Sequence, residues 1–467
     1  MNLRQYLNFL QTEHPDEILI IDQEVNPKFE ITAILKSLED MGKYPLVIFK
    51  NVKNLLGDKS NFTVLSNLFA SRERCAWTLT STIRDVASEY NKRESQPRKP
   101  VLINEDEAPV KEVILKDEKV DLRTLPLITH HEKDAGPYIT GGVHIVRDDE
   151  CGYNAATIRD MYKDSKTLVA CFLKGRHTDI YHTKYEKAGK NMPIAIVIGH
   201  HPSFYLGAQT IQPITLDEYE TIGGIMGEPL RLTPSTTFGK ELLIPADAEI
   251  VLEGEVLGGV REAEGPFGEY PRTYGPENND GRVIRIRAIN MRKNAIYLDI
   301  YPGSRDHFLL GSIPVEGRIL STVKSIVPGT MNVHLPPSGS GRFLCYVQIR
   351  KLREGEGKNA IIAALSAYDV TKYVVVVDED VDIFNEEEVL WAVATRSQWD
   401  RDLVIIAGAR GASLDPSSAA GISARGGIDA TKKMHPIATR AFPEKITIPQ
   451  ESLEKASSFL KELLKQK

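Results

Sequence analysis

Residues 262–275 read EAEGPFGEYPRTYG and place two carboxylates, Glu264 and Glu269, on either side of a Gly-Pro-Phe-Gly core. In a helix this offset would turn the side chains about 140° apart, and in a strand an odd offset would send them to opposite faces. Pro266 blocks ladder pairing and the glycines permit positive φ. The spacing therefore predicts a loop, and one that must curl back if the acids are to meet. Two readings stay open at this level. The carboxylates are solvated independently, or they share a site in which both cannot ionise cheaply. In the second case one stays protonated near neutral pH as a proton donor, while a nearby arginine holds the other ionised.

Three more stretches carry groups that could bind or catalyse. YNAATIRDM (153–161) contains Asn154 and Arg159, in a polar edge strand or in a site. KGRHTDIYH (174–182) contains His177 and His182, and in TLDEYETIGGIMGEP Glu218 precedes a Gly-rich turn. The separations among Asn154, His177 and Glu218 match no local metal motif. The glycine clusters GGIMGEP, ARGGIDATKK and SGSGRF fit neither GxGxxG nor a P-loop, and GxSxG, HExxH and EF-hand patterns are missing.

These groups must be positioned by a sizeable scaffold. The chain has 467 residues, enough for two to four domains. Its 58 basic and 64 acidic residues leave a net charge of −6, which argues against a nucleic-acid binder or a polybasic membrane protein. Cys75, Cys151, Cys171 and Cys345 form no CxxC pair, so a reducing cytoplasmic setting is expected and a disulfide framework is not. The N-terminus has no signal-peptide core. The uncharged stretch 191–216 is interrupted by three prolines and two histidines, so it is not read as a membrane span.

The first hundred residues read as α/β. Leu3, Leu7 and Leu10 form one helical stripe, Ile31, Ile34, Leu35 and Leu38 another, and PLVIFKNV is a buried strand. NKRESQPRKP (91–100) is expected to be a linker or exposed loop. From about 110 to 310 the texture is β-rich, with strands expected at TGGVHIV, KTLVACFL, PIAIVIG and EIVLEGEVL, and a hairpin turning near Arg292–Asn294. A barrel or sandwich core follows from this. After about 320, strands at RFLCYVQIR, KYVVVVDED and DLVIIAG alternate with helices at KNAIIAALSA and EEEVLWAVATR, giving a parallel or mixed sheet under helices. The end, PQESLEKASSFLKELLKQK, is an amphipathic helix with Leu453, Leu460 and Leu464 near one face.

Taken in order, YNAATIR, the following RH, PITLDEYETIGGIMG, EIVLEG with EGPFGE, and ARGGIDATKK resemble the UbiD family of reversible decarboxylases over most of the chain. The resemblance implies an α/β plus β fold: an N-terminal α/β domain (1–105), a central split β-barrel-like flavin-binding domain (106–315) and a C-terminal α/β oligomerisation domain with a terminal helix (316–467). It implies prenylated FMN, supplied by a flavin prenyltransferase and held through a divalent metal, usually Mn²⁺, with K⁺ nearby. Asn154, His177 and Glu218 then match the metal ligands, and Ile158, Arg159, Arg176 and Arg425 the cofactor contacts. Arg425 stands where the family often has lysine. Gly207 and Ala208 match carbonyl contacts to K⁺.

Arg159, Glu264 and Glu269 resemble the family's Glu–Arg–Glu network, with Glu269 as the general acid. The substrate would be an unsaturated, aromatic or heteroaromatic acid that loses CO₂, in a homodimer or homohexamer. Arg305, His307 and Leu310 match the substrate pocket. There Leu310 argues against a phenolic mode that uses histidine, and Arg305 with His307 would recognise a second polar or anionic group unless Arg305 pairs with Asp306 or another acid. A cofactor-free binding or assembly subunit and a plain metal-dependent hydrolase are the alternatives. Flavin absorbance separates the enzyme from the first, and activity on metal alone would favour the second.

Overall fold

The computed structural model of the chain describes residues 1–419, 421–438 and 441–464. The fold opens with helix Leu3–Glu13, started by a capping box in which Asn2 and Gln5 satisfy each other's backbone N–H groups. Its buried stripe is Leu3, Tyr6 and Leu10. Helix Glu30–Asp40 buries Ile31 and Leu35 in the same way. Both cover a four-stranded sheet ordered Ile18–Ile21, Leu46–Phe49, Thr63–Ser66, Ile296–Leu298.

That last strand corrects the expected hairpin. Strand Asn278–Met291 does not fold back on its successor. It pairs with Ile250–Glu264, Thr167–Ala170 and Val113–Lys116. The chain turns at Asn294, in the left-handed region at φ 51°, and Ile296–Leu298 joins Thr63–Ser66 in parallel. Asp299 explains the departure. Its buried carboxylate accepts from Ser66 in the first sheet (2.8 Å), and from Thr140 (2.9 Å) and the His130 ring (2.8 Å) outside it, so the end of the strand is anchored beside Thr63–Ser66. The expected 91–100 linker is also shorter than its composition suggested. Asn91–Glu94 complete helix Val86–Glu94, where Arg93 donates to Glu89 and to the carbonyls of Leu79 and Ile225.

The centre is a nine-stranded sheet. Its path runs Tyr138–Ile139, Asp160–Asp164, Thr167–Ala170, Asn278–Met291, Ile250–Glu264, Met192–Ile198, Gly142–Asp148, Gly152–Thr157. No pairing joins the two ends among the described residues, so the sheet is not a closed barrel. The 15-residue strand Ile250–Glu264 changes register against its neighbour at three places, and such irregularities bend a strand.

The C-terminal sheet is mixed, ordered Thr330–His334, Leu344–Ile349, Tyr373–Asp378, Ile422–Asp429, Leu403–Arg410, with helices Glu356–Ala367 and Glu386–Arg396 between strands. The α/β alternation read from the sequence is therefore present. The terminal helix spans Gln450–Leu464 and exposes Leu453 and Leu460. The side chain of Leu464 and residues 465–467 lie outside the described residues.

Helix Arg305–Ile326 ties the parts together. Leu309, Leu310 and Ile313 enter the core shared by the first two sheets, whereas Val315, Ile319 and Val323 enter the C-terminal core. Glu316 sits at the changeover, fully buried. It accepts from Arg72 twice (3.0 and 2.7 Å), from the Leu335 N–H (2.8 Å) and faces the His334 ring at 2.9 Å. Burial opposes its ionisation, but Arg72 and His334 prevail and hold its carboxyl below the usual range. Removing one member of a buried pair leaves an uncompensated charge. Arg72→Met is therefore expected to cost about 3–5 kcal/mol of stability, measured by denaturant titration.

Candidate active site

Glu264 is the final residue of strand Ile250–Glu264, and Glu269 follows the two-residue strand Phe267–Gly268. The acid-bearing segment is thus less irregular than predicted: short pairing persists on both sides of Pro266. The reversal itself is as expected. Phe267 and Gly268 pair with Gly275 and Tyr274, and a tight turn links the Glu269 and Thr273 backbones. Asp134 pins it from outside, accepting from the Gly268 and His131 N–H groups, each at 2.8 Å. Only glycine serves at 268, since a Cβ there would lie 2.2 Å from the His131 ring.

The two carboxylates meet at Arg159, in the link between strands Gly152–Thr157 and Asp160–Asp164. Arg159 grips Glu264 with two bonds, Nε to Oε1 at 2.8 Å and Nη2 to Oε2 at 3.0 Å, and reaches Glu269 Oε1 with Nη1 at 2.5 Å. Glu264 is fully buried and Glu269 nearly so. The Phe267 ring lies under the guanidinium, 4.9 Å from its centre. Burial pushes the Glu269 carboxyl above its ordinary value; Arg159 opposes this and Glu264 adds to it. Burial also works against the Arg159 charge, but Glu269 and Glu264 outweigh it and raise the guanidinium further.

Asn154, His177 and Glu218 converge as well. Glu218 Oε2 accepts from Asn154 Nδ2 (2.8 Å) and the Ala155 N–H (2.6 Å), and its Oε1 faces His177 Nδ1 at 3.1 Å. Thr178 donates to Asn154 Oδ1 at 2.8 Å. A hydroxyl accepts as readily as it donates, so a half-turn of the amide would present Oδ1 toward Glu218 without losing that bond. Among the described residues no group of three or more His, Cys, Asp or Glu forms a metal cluster. This trio is an imidazole, a carboxylate and an amide, a donor set that suits a divalent ion of intermediate hardness. His177 and Glu218 each open a helix, His177–Lys187 and Glu218–Met226, so the positive ends of two helix dipoles border the trio and favour anions there. Asn154 and Arg159 lie five residues apart along one extended segment, at most about 17 Å.

The remaining expected residues divide. Ile158 is half-buried between the two clusters in sequence. Arg176 is exposed and caps the His177 helix without a side-chain bond, close enough to Tyr368 to act on its phenol. Arg425 makes no hydrogen bond to the trio among the described residues. Its Nε donates to the Thr371 carbonyl and its Nη2 to those of Leu365 and Tyr368, fastening the end of helix Glu356–Ala367. Arg305 and His307 lie on opposite sides of their helix, because two residues turn them about 160° apart. Arg305 forms no ion pair among the described residues and stacks on Tyr44, 4.4 Å from the ring centre. His307 faces the other way, near Arg159, with its ring pushed down to about 3 by burial and then by Arg342 and Arg159. Leu310 is buried, one turn along on the His307 side.

Family profiles match three consecutive stretches: the N-terminal (10–93), Rift-related (101–305) and C-terminal (308–430) domains of 3-octaprenyl-4-hydroxybenzoate carboxy-lyase, or UbiD. The chain belongs to the UbiD family.

An anhydromevalonate phosphate decarboxylase from Methanothermobacter thermautotrophicus is 37% identical over 89% of this chain and 94% of its own. A gallate decarboxylase from Lactiplantibacillus plantarum is 32% identical over 89% of each. The UbiD-class enzyme HmfF from Pelotomaculum thermopropionicum, solved with FMN, superposes with a TM-score of 0.90 at 38% identity, covering 98% of this chain and 100% of that one. An evolved dimeric form of HmfF with prFMN gives 0.86 at 36%, over 97% and 98%. As a UbiD-family member with these relatives, the chain is a carboxy-lyase.

Sequence reasoning missed Asp134 and Asp217. Asp217 caps the Glu218 helix, accepting from the Tyr219 N–H at 2.9 Å, and its DE pairing before a helix was a readable cue. Asp134 carried no local signal. Burial raises its carboxyl, but His131 and the two backbone N–H groups prevail and depress it. A depressed carboxylate contributes stability above the unfolded pKa of about 3.9 and loses it as pH falls through the folded value. Asp134→Ala is thus expected to cost about 1.5–3 kcal/mol at pH 7. The difference from wild type should shrink below about pH 4, as read by denaturant unfolding at both pH values.

Proposed function

We propose that this chain is a reversible, non-oxidative decarboxylase of an α,β-unsaturated, aromatic or heteroaromatic carboxylic acid. Its cofactor is prenylated FMN, held at the phosphate end through Mn²⁺ on Asn154, His177 and Glu218, with K⁺ at the Gly207 and Ala208 carbonyls. The observation that carries this reading is the single guanidinium shared by two buried glutamates, one strand-length from a metal-type donor trio. That separation suits a flavin ring and its phosphate tail. The relatives solved with FMN and prFMN support the choice of cofactor.

When bound, the prenylated flavin supplies the electron sink that lets CO₂ leave an sp² carbon. The protein's own part is positioning and proton delivery. Arg159, its plane fixed by the two bonds to Glu264, cannot satisfy two ionised acids and a substrate carboxylate together. With Glu269 protonated, its claim on Nη1 weakens and Nη1 can orient the substrate carboxylate. After CO₂ departs, Glu269 gives its proton to the vacated carbon. In carboxylation it takes that proton back. Burial around Glu264, Glu269 and Phe267 keeps bulk water from competing.

The C-terminal part, 316–467, is proposed to carry oligomer contacts, dimeric or hexameric. Leu453, Phe459 and Leu460 are exposed on the terminal helix, with Ile405 and Ile422 exposed on the sheet. A cytoplasmic setting and a separate flavin prenyltransferase as cofactor supplier complete the proposal.

Glu269→Gln in protein co-expressed with a flavin prenyltransferase is expected to retain flavin absorbance and lose about 10²–10⁴ in turnover. Wild-type turnover would refute the assigned role. In the wild type, activity should fall as pH rises through the elevated pKa of Glu269, since only the acid form donates; Glu269→Asp should move that limb in a pH–rate profile. His177→Ala should lose metal and flavin together. Elemental analysis and the visible spectrum read both, and a fully loaded variant would contradict the ligand assignment.

A further inference from the structure

A third buried carboxylate stands behind the turn that carries Glu269. Asp134 follows His131 in a tight turn, its N–H donating to the His131 carbonyl at 3.1 Å, and its side chain has no exposed surface. Oδ1 accepts from the Gly268 N–H and Oδ2 from the His131 N–H, each at 2.8 Å. The next residue, Ala135, donates its N–H to the Pro266 carbonyl at 2.9 Å. The stretch 131–135 therefore grips the acid-bearing segment on both sides of Phe267. Glu269 is held closely on the hairpin's other arm as well, since a Cβ at Gly275 would lie 3.2 Å from its Cγ. Glu269 thus has little room to move, and Asp134 binds the backbone of its immediate neighbour.

No arginine or lysine pairs with Asp134 among the described residues. Its ionic neighbour there is the His131 ring, with Nδ1 3.4 Å from Oδ2. Lys28, Lys53 and Glu132 share with it only the lining of a cavity of about 480 Å³. Burial opposes the Asp134 charge, but His131 and the two backbone bonds prevail and hold it ionised. The charges around Glu269 are then Arg159, Glu264 and Asp134, with the Cys171 thiol and the Tyr270 phenol as neutral neighbours. Three carboxylates share one guanidinium. Burial raises the Glu269 carboxyl first, and Asp134 adds to the effect of Glu264. The Tyr138 phenol, its ring 4.4 Å from that of Phe267, is raised by burial and by the same two acids. We propose that Asp134 is a positioning residue for proton delivery: it fixes the Glu269 turn through Gly268 and, as a standing negative charge behind that turn, keeps the proton on Glu269 until the substrate carbon takes it. This rests on the general-acid role proposed above and deepens it. A single charge roughly 10 Å away, at an effective dielectric of about 20, moves a carboxyl's midpoint by about one pH unit.

Infrared spectroscopy reads the proton on Glu269 as the protonated-carboxyl band that wild type shows and Glu269→Gln lacks, on full-length protein co-produced with a flavin prenyltransferase. Isotope-labelled glutamate separates that band from flavin carbonyls. Its midpoint is followed against pH in wild type and in three variants. Asp134→Asn and Asp134→Ser keep an acceptor for the Gly268 N–H without the charge, whereas Asp134→Glu keeps the charge and disturbs the bonds. The neutral variants should lower the midpoint by about one pH unit. The alkaline limb of CO₂ release from cinnamate, sorbate or 4-hydroxybenzoate should move down with it. Asp134→Glu should titrate close to wild type. The proposal is overturned if the neutral variants titrate as wild type does, if both fail to fold, or if Asp134→Glu is displaced as far as they are. A midpoint that answers to Asp134 in protein inactive on all three acids would sink the decarboxylase reading and leave the hold on the Glu269 proton standing. CO₂ release whose alkaline limb ignores Asp134 would do the reverse.

Discussion

One positive charge shared by two buried negative ones is the constraint on which the rest of the molecule depends. Burying ions is costly unless each finds a partner with good geometry. Arg159 gives Glu264 such a partner through two parallel bonds. Glu269 receives only the remaining Nη1. With both acids ionised the cluster holds a surplus negative charge in a place with little water. A proton on Glu269 removes the surplus. In the function proposed above the reaction needs a stored proton, and the electrostatic balance around Glu269 favours one there.

The scaffold serves this balance by putting opposite chemistries at the two ends of one segment. At the Asn154 end, two helix starts and an imidazole–carboxylate–amide set favour a cation and the anion it carries. At the Arg159 end the long strand delivers Glu264, and the Asp134-pinned turn delivers Glu269. The C-terminal sheet approaches from the far side through the loop that bears Arg342 and through Tyr368, near Arg176. The functional side chains come from several separated parts of the chain, which explains why no compact motif contains the site.

What the sequence revealed follows from that dispersal. The acids, the arginine and the donor trio were legible because unusual residue types stood in an ordered series of short motifs. The reversal between Glu264 and Glu269 was legible from Gly and Pro. The helix stripes and the C-terminal alternation followed from local periodicity. Long-range hydrogen bonding was not legible. The hairpin expected at Arg292–Asn294 fails because Ile296–Leu298 pairs with the first sheet and Asp299 finds Ser66 there and Thr140 and His130 outside it, and nothing near residue 299 announces those partners. Arg425 and Arg305 were plausible ligand-binding arginines by position, yet their guanidinium groups serve carbonyls and a tyrosine ring. A side chain's type can be read locally, but the direction it faces depends on packing from elsewhere.

The strand Ile296–Leu298 completes a sheet whose other members all lie before residue 67. During synthesis the ribosome must add some 230 further residues before that edge is covered. Until then Thr63–Ser66 presents open backbone groups beside an apolar surface, a template for pairing with other nascent chains. The N-terminal region thus cannot mature ahead of the centre. Its folding is bound to the end of the Rift-related segment, and truncated translation products that stop short of residue 298 carry an unguarded edge.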